Sequence, residues 1–166
     1  AFYNCSSLTS ITIPDSVTSI GKSAFYNCSS LAGITIPDNV TSVGKSAFKA
    51  CRSLTSVTIG NGVKSIRDSA FNDCRSLTSI SFGENSQLTR IGEKTFGGCC
   101  SLTSIAVPDS VTGIGWGAFS GCSSFTSITI PFVGTTIDGS ESSRFSDIFG
   151  NVSIDMPESL NVVITG

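Results

Sequence analysis

Apolar residues recur along this chain at a fixed spacing, with polar residues between them. Phenylalanine returns every 23 residues, apart from one interval of 25. Cysteine follows each of these phenylalanines by three residues, and leucine, isoleucine and valine keep their own fixed places in every copy. The six phenylalanines are Phe2, Phe25, Phe48, Phe71, Phe96 and Phe119. Self-similarity at a period of roughly 20 to 50 residues is typical of units that stack into a solenoid.

The first copy shows what each part of the unit predicts. Leu8–Ile13 ends in apolar–polar alternation, which favours a short strand with its isoleucines directed inward. Pro14-Asp15 ends that strand, since proline cannot donate to a ladder and aspartate favours turns. Val17–Ile20 predicts a second short extended stretch, and Ser23–Phe25 a helical turn. One unit cannot bury its own apolar residues, whereas stacked units can.

Two stretches depart from the period. The 25-residue interval contains Phe82–Leu88, which we interpret as a two-residue bulge in the turn after the strand. After Pro131 the pattern stops, and a polar, loop-like segment follows. We expect three later apolar residues to anchor this segment to the stack, namely Phe145, Ile148 and Phe149. The alternating residues Leu160, Val162 and Ile164 predict a seventh strand.

The repeat resembles a known family. The pattern C-x-x-L-x-x-I-x-I-P-x-x-V-x-x-I-G-x-x-A-F-x-x-C, read from Cys5 to Cys28, is similar to the BspA-like (Treponema-type) leucine-rich repeat over residues 1 to about 131. The stretch after Pro131 also resembles a variant insert that interrupts such arrays. The resemblance implies a bacterial or protist cell-surface protein used for adhesion or matrix binding.

These observations together predict the architecture. We expect a repeat solenoid, mainly β with short helical turns, built as a right-handed leucine-rich repeat stack. One parallel sheet is expected on the concave face, with about six coils and an irregular C-terminal coil. Residues 1–131 would form the repeat solenoid, and residues 132–166 a variant insert and final coil packed on the same domain.

The outward side of the predicted sheet is a candidate binding surface. If the isoleucines of each strand point inward, the alternating serines and threonines point outward and form a flat, uncharged face. Solenoids use such faces for extended ligands, although serine and threonine are also ordinary solvent-facing strand residues. The candidate residues are Ser10, Thr12, Thr35, Ser56, Thr58, Ser79, Ser81, Ser104, Ser127 and Thr129.

Six of the seven cysteines share one repeat position. A disulfide needs a specific approach of the two Cβ atoms, which a parallel column does not obviously supply, so we predict buried free thiols. Cys100 differs, because other copies carry serine or arginine at that position. We therefore expect Cys100 to be the one accessible, reactive thiol. Trp116, the single tryptophan, is expected to be exposed on the convex side as a candidate contact residue.

Composition limits the remaining functions. With a net charge of −2 and only 13% charged residues, no basic field exists to recruit nucleic acid. No apolar run approaches the roughly 20 residues that insert into a membrane. The sequence contains no signal peptide, so the expected extracellular or cell-surface location depends on the family resemblance alone. The absence of histidine removes Ser-His-Asp and Cys-His nucleophiles and every histidine metal site, and we predict no metal and no cofactor.

Three functions are compatible with these features. The first is a non-catalytic binding or adhesion module of a cell-surface protein, whose partner is a protein or matrix ligand, a host-derived one among them. The second is a structural spacer in a surface protein. A hydrolase that uses paired carboxylates is disfavoured, because Asp15, Asp38 and Asp109 recur as turn residues and not as an acid–base pair.

Overall fold

The computed structural model describes residues 2–131, 145–150 and 160–165, and the repeats form a β-solenoid. Within these residues a typical coil contributes one longer strand and one two-residue strand. The longer strands are β2 Gly33–Ile36, β4 Ser56–Ile59, β6 Ser79–Phe82, β8 Ser104–Ala106, β10 Ser127–Ile130 and β11 Asn161–Ile164. The two-residue strands are β1 Ser19–Ile20, β3 Ser42–Val43, β5 Ser65–Ile66, β7 Arg90–Ile91 and β9 Gly113–Ile114.

All strand pairs are parallel and join equivalent residues of successive coils. The register Ile34↔Val57 between β2 and β4 is one example. The predicted solenoid with parallel pairing is confirmed, but the expectation of one sheet is wrong. The longer strands form two three-stranded sheets, β2-β4-β6 and β8-β10-β11, and the short strands form a five-stranded sheet. The short stretches pair because stacking in register brings their backbones together as well.

The first copy of the longer strand is missing. Residues 8–13 carry no strand, and the backbone N–H of Ala32 donates to the carbonyl of Thr9 at 3.1 Å as an isolated bond. The alternation expected there is still visible in burial, since Ile13 is buried and Thr12 exposed. This segment has a neighbouring coil on one side only in this chain, so fewer hydrogen bonds hold it in strand geometry.

The predicted helical turn before each phenylalanine is also a different structure. Ser23 and Asn27 adopt left-handed backbone angles, φ 53° and 55°, which interrupt a right-handed helix. Between them the chain makes tight turns, such as the bond from the Ala24 N–H to the Gly21 carbonyl at 3.3 Å. The N–H of Ser23 instead donates to Lys45 of the next coil at 2.9 Å. These turns therefore join the stack, which an ordinary helical turn would not do.

Among the described residues the helical structure is limited to the 3₁₀ helix Phe145–Phe149. No helix in this part of the chain has the length and apolar character needed to cross a membrane.

The phenylalanine column forms the centre of the core. The rings of Phe25, Phe48, Phe71 and Phe96 are buried and stack nearly parallel, with neighbouring centroids 4.9 to 5.7 Å apart. Each buried ring contributes on the order of 1.5–3 kcal/mol through burial. Stacking of aromatic pairs adds about 0.5–1.5 kcal/mol. The column therefore makes neighbouring coils depend on one another for stability.

A second column consists of thiols. All seven cysteines are free, and five of them are buried. Each buried thiol donates to the carbonyl of the phenylalanine in the preceding coil, as in Cys51 Sγ to Phe25 O at 3.1 Å. The other four bonds are Cys28–Phe2 at 3.0 Å, Cys74–Phe48 at 3.2 Å, Cys99–Phe71 at 3.3 Å and Cys122–Phe96 at 3.3 Å. Cysteine suits this place because it is small and apolar and carries a weak donor.

After Pro131, the described residues 145–150 and 160–165 pack on the end of the stack. Ile148 and Phe149 are buried, and the N–H of Phe119 donates to the Ile148 carbonyl at 2.8 Å. The ring of Phe149 lies 6.1 Å from that of Phe119 and continues the phenylalanine column. Strand β11 pairs with β10, as expected for the seventh strand. The side chain of the third expected anchor, Phe145, lies outside the described residues.

Replacing Phe71 with alanine is expected to lower the free energy of unfolding by about 3–5 kcal/mol, because the ring fills the middle of the column. Chemical denaturation measures this loss. Phe2→Ala is the matched control, since Phe2 has the same repeat position but is 40% exposed. A smaller loss for Phe71→Ala than for Phe2→Ala would contradict the stacked core.

Candidate functional site

The ten serine and threonine residues predicted to form a binding surface lie on one side of the stack, and we call them the hydroxyl face. Strand alternation places them there, since Ile34 and Ile36 of β2 are buried while Thr35 between them is exposed. In register, Thr35 lies beside Thr58, and Thr58 beside Ser81. Eight of the ten are exposed, and Ser127 and Thr129 are half-buried beside β11. The face members are Ser10, Thr12, Thr35, Ser56, Thr58, Ser79, Ser81, Ser104, Ser127 and Thr129.

The hydroxyls of this face are largely uncommitted. Within the described part of the chain, one bond joins two of them, from Ser81 Oγ to Thr58 Oγ1 at 3.3 Å. The other eight hydroxyls have no side-chain hydrogen bond to a described residue. A hydroxyl both donates and accepts, so these groups are available to a ligand or to water.

Other exposed threonines behave differently, and the sequence reasoning missed them. In two columns the threonine hydroxyl donates to the backbone carbonyl of the preceding coil, as Thr78 does to Thr55 at 3.1 Å. Thr112 does the same to Thr89 at 3.2 Å in the second column. The sequence feature that identifies these residues is a threonine one position after the recurring leucine or valine. Because these hydroxyls are already used to hold coils together, the hydroxyl face is distinct from the rest of the hydroxylated surface.

Two shallow depressions lie along the hydroxyl face. One, of about 460 Å³, is lined by residues of the first three coils, including Thr12, Thr35 and Thr58. The other, of about 360 Å³, lies between β6 and β8 and is lined by apolar residues, by two serines and by Glu84 and Asp109. The face is therefore an open surface with two places where a ligand can be partly enclosed.

Trp116 lies away from this face. It follows β9 of the five-stranded sheet, and its side chain is 38% exposed. The Nζ atom of Lys94 lies 5.0 Å from the ring centroid, a cation–π contact worth about 0.5–1 kcal/mol at an exposed site. Lys94 covers part of the ring, so Trp116 remains a separate candidate contact and does not join the hydroxyl face.

In the described ranges no charged residue is buried. There, no group of three or more possible metal ligands comes together. Two exposed ion pairs are present, Lys45–Asp68 at 3.8 Å and Arg75–Asp73 at 3.7 Å. Pairs of this kind contribute about 0–1 kcal/mol.

The thiols divide into reactive and protected groups. Cys100 is exposed, as expected from the residues at its position in other copies, but Cys5 is exposed as well. The expectation of a single accessible thiol is therefore wrong. Cys5 belongs to the first coil of this chain and is covered from one side only. Burial raises the pKa of the Cys51 and Cys122 thiols to about 12, and that of Cys74 well above its usual range.

Alkylation of the native protein near neutral pH is expected to modify Cys5 and Cys100 and to leave the five buried thiols intact. The thiolate is the reactive form, and a raised pKa removes it. Mass spectrometry counts and locates the labels, and Cys100→Ser should leave one fast site. Fast labelling of Cys74 in the folded protein would contradict the buried thiol column.

Comparison with known proteins identifies the repeat. The family model of the BspA type leucine rich repeat region matches six copies, over residues 1–99 and 84–165. No curated protein sequence matches the chain.

Several solved structures share the fold. The T. pallidum leucine-rich repeat protein TpLRR is 33% identical with a TM-score of 0.70, covering 73% of this chain and 58% of its own. A leucine-rich repeat protein from Bacteroides ovatus is 37% identical with a TM-score of 0.66, covering 74% of this chain and 31% of its own. A leucine-rich cell surface protein from Faecalibacterium prausnitzii is 25% identical with a TM-score of 0.55, covering 92% of this chain and 52% of its own.

This chain thus spans well under two thirds of the length of each of these proteins. The family model, by contrast, extends over almost all of its repeats, and the coils that it describes are those seen in the structure. The chain belongs to the BspA-type leucine-rich repeat family.

Proposed function

We propose that this chain is a non-catalytic module of a cell-surface protein, and that it binds an extended protein or matrix ligand on the hydroxyl face. The observation that carries the proposal is the row of exposed, uncommitted hydroxyls on strands in register. Leucine-rich repeat proteins commonly bind proteins, and the similar Faecalibacterium prausnitzii protein is described as a cell surface protein.

The geometry suits a polypeptide ligand. Successive coils place equivalent hydroxyls roughly 4.8 Å apart, the spacing of neighbouring strands. A polypeptide that lies across them carries backbone N–H donors and C=O acceptors. A hydroxyl can form a hydrogen bond with either group, because it both donates and accepts. Serine and threonine have short side chains, so little conformational entropy is lost when they are ordered on binding. The face carries no charge among its ten members, so charged partners gain no general advantage there.

A catalytic role has less support. The chain contains no histidine. Asp15, Asp38 and Asp109 are exposed and occupy the same turn in different coils. Carboxylates in different turns do not share one enclosed site. They therefore cannot act on the same substrate as a general acid and a general base.

The proposal predicts that charge and bulk on the hydroxyl face abolish binding. The chain would be immobilised and tested by surface plasmon resonance against a panel of purified extracellular matrix proteins. For any protein that binds, Thr35→Arg/Thr58→Arg should weaken the affinity by at least about tenfold, which corresponds to about 1.4 kcal/mol.

Ser19→Arg/Ser53→Arg is the matched control, because both serines are exposed and lie off the hydroxyl face. It adds the same charge and should leave the affinity nearly unchanged. Equal losses in the two variants would show that the face is not the binding site. A panel without any binding protein would favour the structural spacer.

A further inference from the structure

Among the described strands, an open seam separates β6 from β8 on the hydroxyl face. Neighbouring longer strands pair from β2 to β6 and again from β8 to β11, but β6 and β8 do not pair. In paired coils the first N–H of the strand region donates to the preceding coil, as Thr78 does to Thr55 at 3.0 Å and Thr126 to Thr103 at 2.7 Å. No backbone bond of this kind joins Thr103 to Thr78. The seam therefore leaves backbone donors and acceptors without their usual partners.

The two-residue insertion explains the seam. The enlarged turn after β6 is tied to the turn of the preceding coil, through Asn85 N–H to Asn61 Oδ1 at 3.0 Å and Gln87 N–H to Asn61 O at 2.9 Å. Glu84 and Ser86 of this enlarged turn line the depression between β6 and β8. On the opposite side the short strands of the same two coils still pair in register, Arg90↔Gly113. The two coils are thus separated on the hydroxyl face and remain paired on the opposite side.

The seam exposes residues that are core elsewhere. Ile80 and Phe82 of β6 are half-buried, whereas the equivalent Val57 and Ile59 of β4 are buried. These two side chains, with Ala106 and neighbouring residues, line the depression of about 360 Å³. That volume is at the lower end of ligand pockets, which begin at roughly 300 Å³. It is suited to one long side chain of a partner and not to a large ligand.

The rim of the seam carries negative charge. Glu84 and Asp109 line the depression, and no cation of the described residues lines it. Glu84 forms no ion pair or hydrogen bond with a described residue, while Asp109 Oδ1 accepts a bond from Thr165 Oγ1 at 3.0 Å. A mainly polar depression that contains the apolar side chains of Ile80 and Phe82 and two carboxylates is complementary to a side chain with an aliphatic stem and a cationic end. Arginine fits best, because its planar guanidinium presents several donors at once to carboxylates and to unpaired carbonyls.

We propose that the seam between β6 and β8 is a pocket for an arginine side chain of an extended polypeptide bound on the hydroxyl face. The inference rests on the proposed function, since the hydroxyl face would hold the backbone of the same partner. It adds to that function an anchor that the hydroxyls cannot supply, because a few enclosed residues dominate the binding energy of most interfaces.

The pocket can be tested without knowing the partner. Nα-acetyl-arginine methylamide would be titrated into the chain while the NMR signals of the Ile80 and Ala106 methyl groups are followed. Saturable shifts at these two residues are expected. The citrulline analogue, which has the same shape but no charge, should bind at least about tenfold more weakly. Equal binding of the two probes, or no saturable shift at Ile80 and Ala106 up to the solubility of the arginine probe, would overturn the pocket.

Charge variants identify the carboxylates responsible. Glu84→Gln/Asp109→Asn should weaken arginine binding by at least about tenfold. Asp38→Asn/Glu93→Gln removes the same charge from exposed turns that follow paired strands and should leave binding unchanged. A loss of the same size in both variants would show that the probe responds to net charge and would contradict a specific pocket.

A deletion tests the cause of the seam. Removing Ser86 and Gln87 restores the 23-residue period, so β6 and β8 are expected to pair and the pocket to close. Arginine binding should be lost, while thermal unfolding shows that the variant is folded. A folded deletion variant that binds arginine like the parent would overturn the proposal.

The two proposals fail separately. If arginine does not bind while a matrix protein still depends on Thr35 and Thr58, the pocket is wrong and the binding face stands. If arginine binds at the seam but changes at Thr35 and Thr58 have no effect on a partner, the proposed use of the hydroxyl face is wrong.

Discussion

Stacking in register is the constraint on which the whole molecule depends. A coil of this chain cannot enclose its own apolar residues, and its backbone groups find their partners mostly in the neighbouring coil. Phenylalanine rings therefore lie over phenylalanine rings, and strands over equivalent strands. Both sets of interactions need the same 23-residue step, so a change in one coil is transmitted to its neighbours.

The same constraint explains two choices of residue that do not concern the apolar pattern. The turns before and after each phenylalanine need left-handed backbone angles, seen at Ser46 and Ala50 and supplied by glycine at Gly117 and Gly121. The position three residues after phenylalanine needs a small side chain that can donate to a carbonyl, and cysteine meets both needs. The thiols are thus structural donors, and burial rather than reactivity accounts for their recurrence.

Departures from the period have different consequences in different places. Despite the longer spacing after Pro131, Phe149 joins the phenylalanine column and β11 pairs with β10. The insertion after Phe82 is smaller, yet it separates β6 from β8, because it lies in a turn tied to the preceding coil. The position of an insertion therefore matters more than its length. The seam after Phe82 interrupts the hydroxyl face. That interruption adds to the face a depression bordered by Glu84 and Asp109.

The sequence by itself determined the repeat, the inward and outward residues of each strand, the buried thiols and the position of the irregular turn. Regular spacing carries this information, because equivalent residues must meet the same surroundings in every coil. The tertiary structure decided what depends on contacts between coils. It showed the five-stranded sheet of the short strands, the left-handed turns at Ser23 and Asn27, the exposure of Cys5 and the threonines whose hydroxyls are already used. It also decided that the bulge after Phe82 opens the sheet, since a spacing shows where residues are inserted but not which neighbouring strands must move apart to hold them.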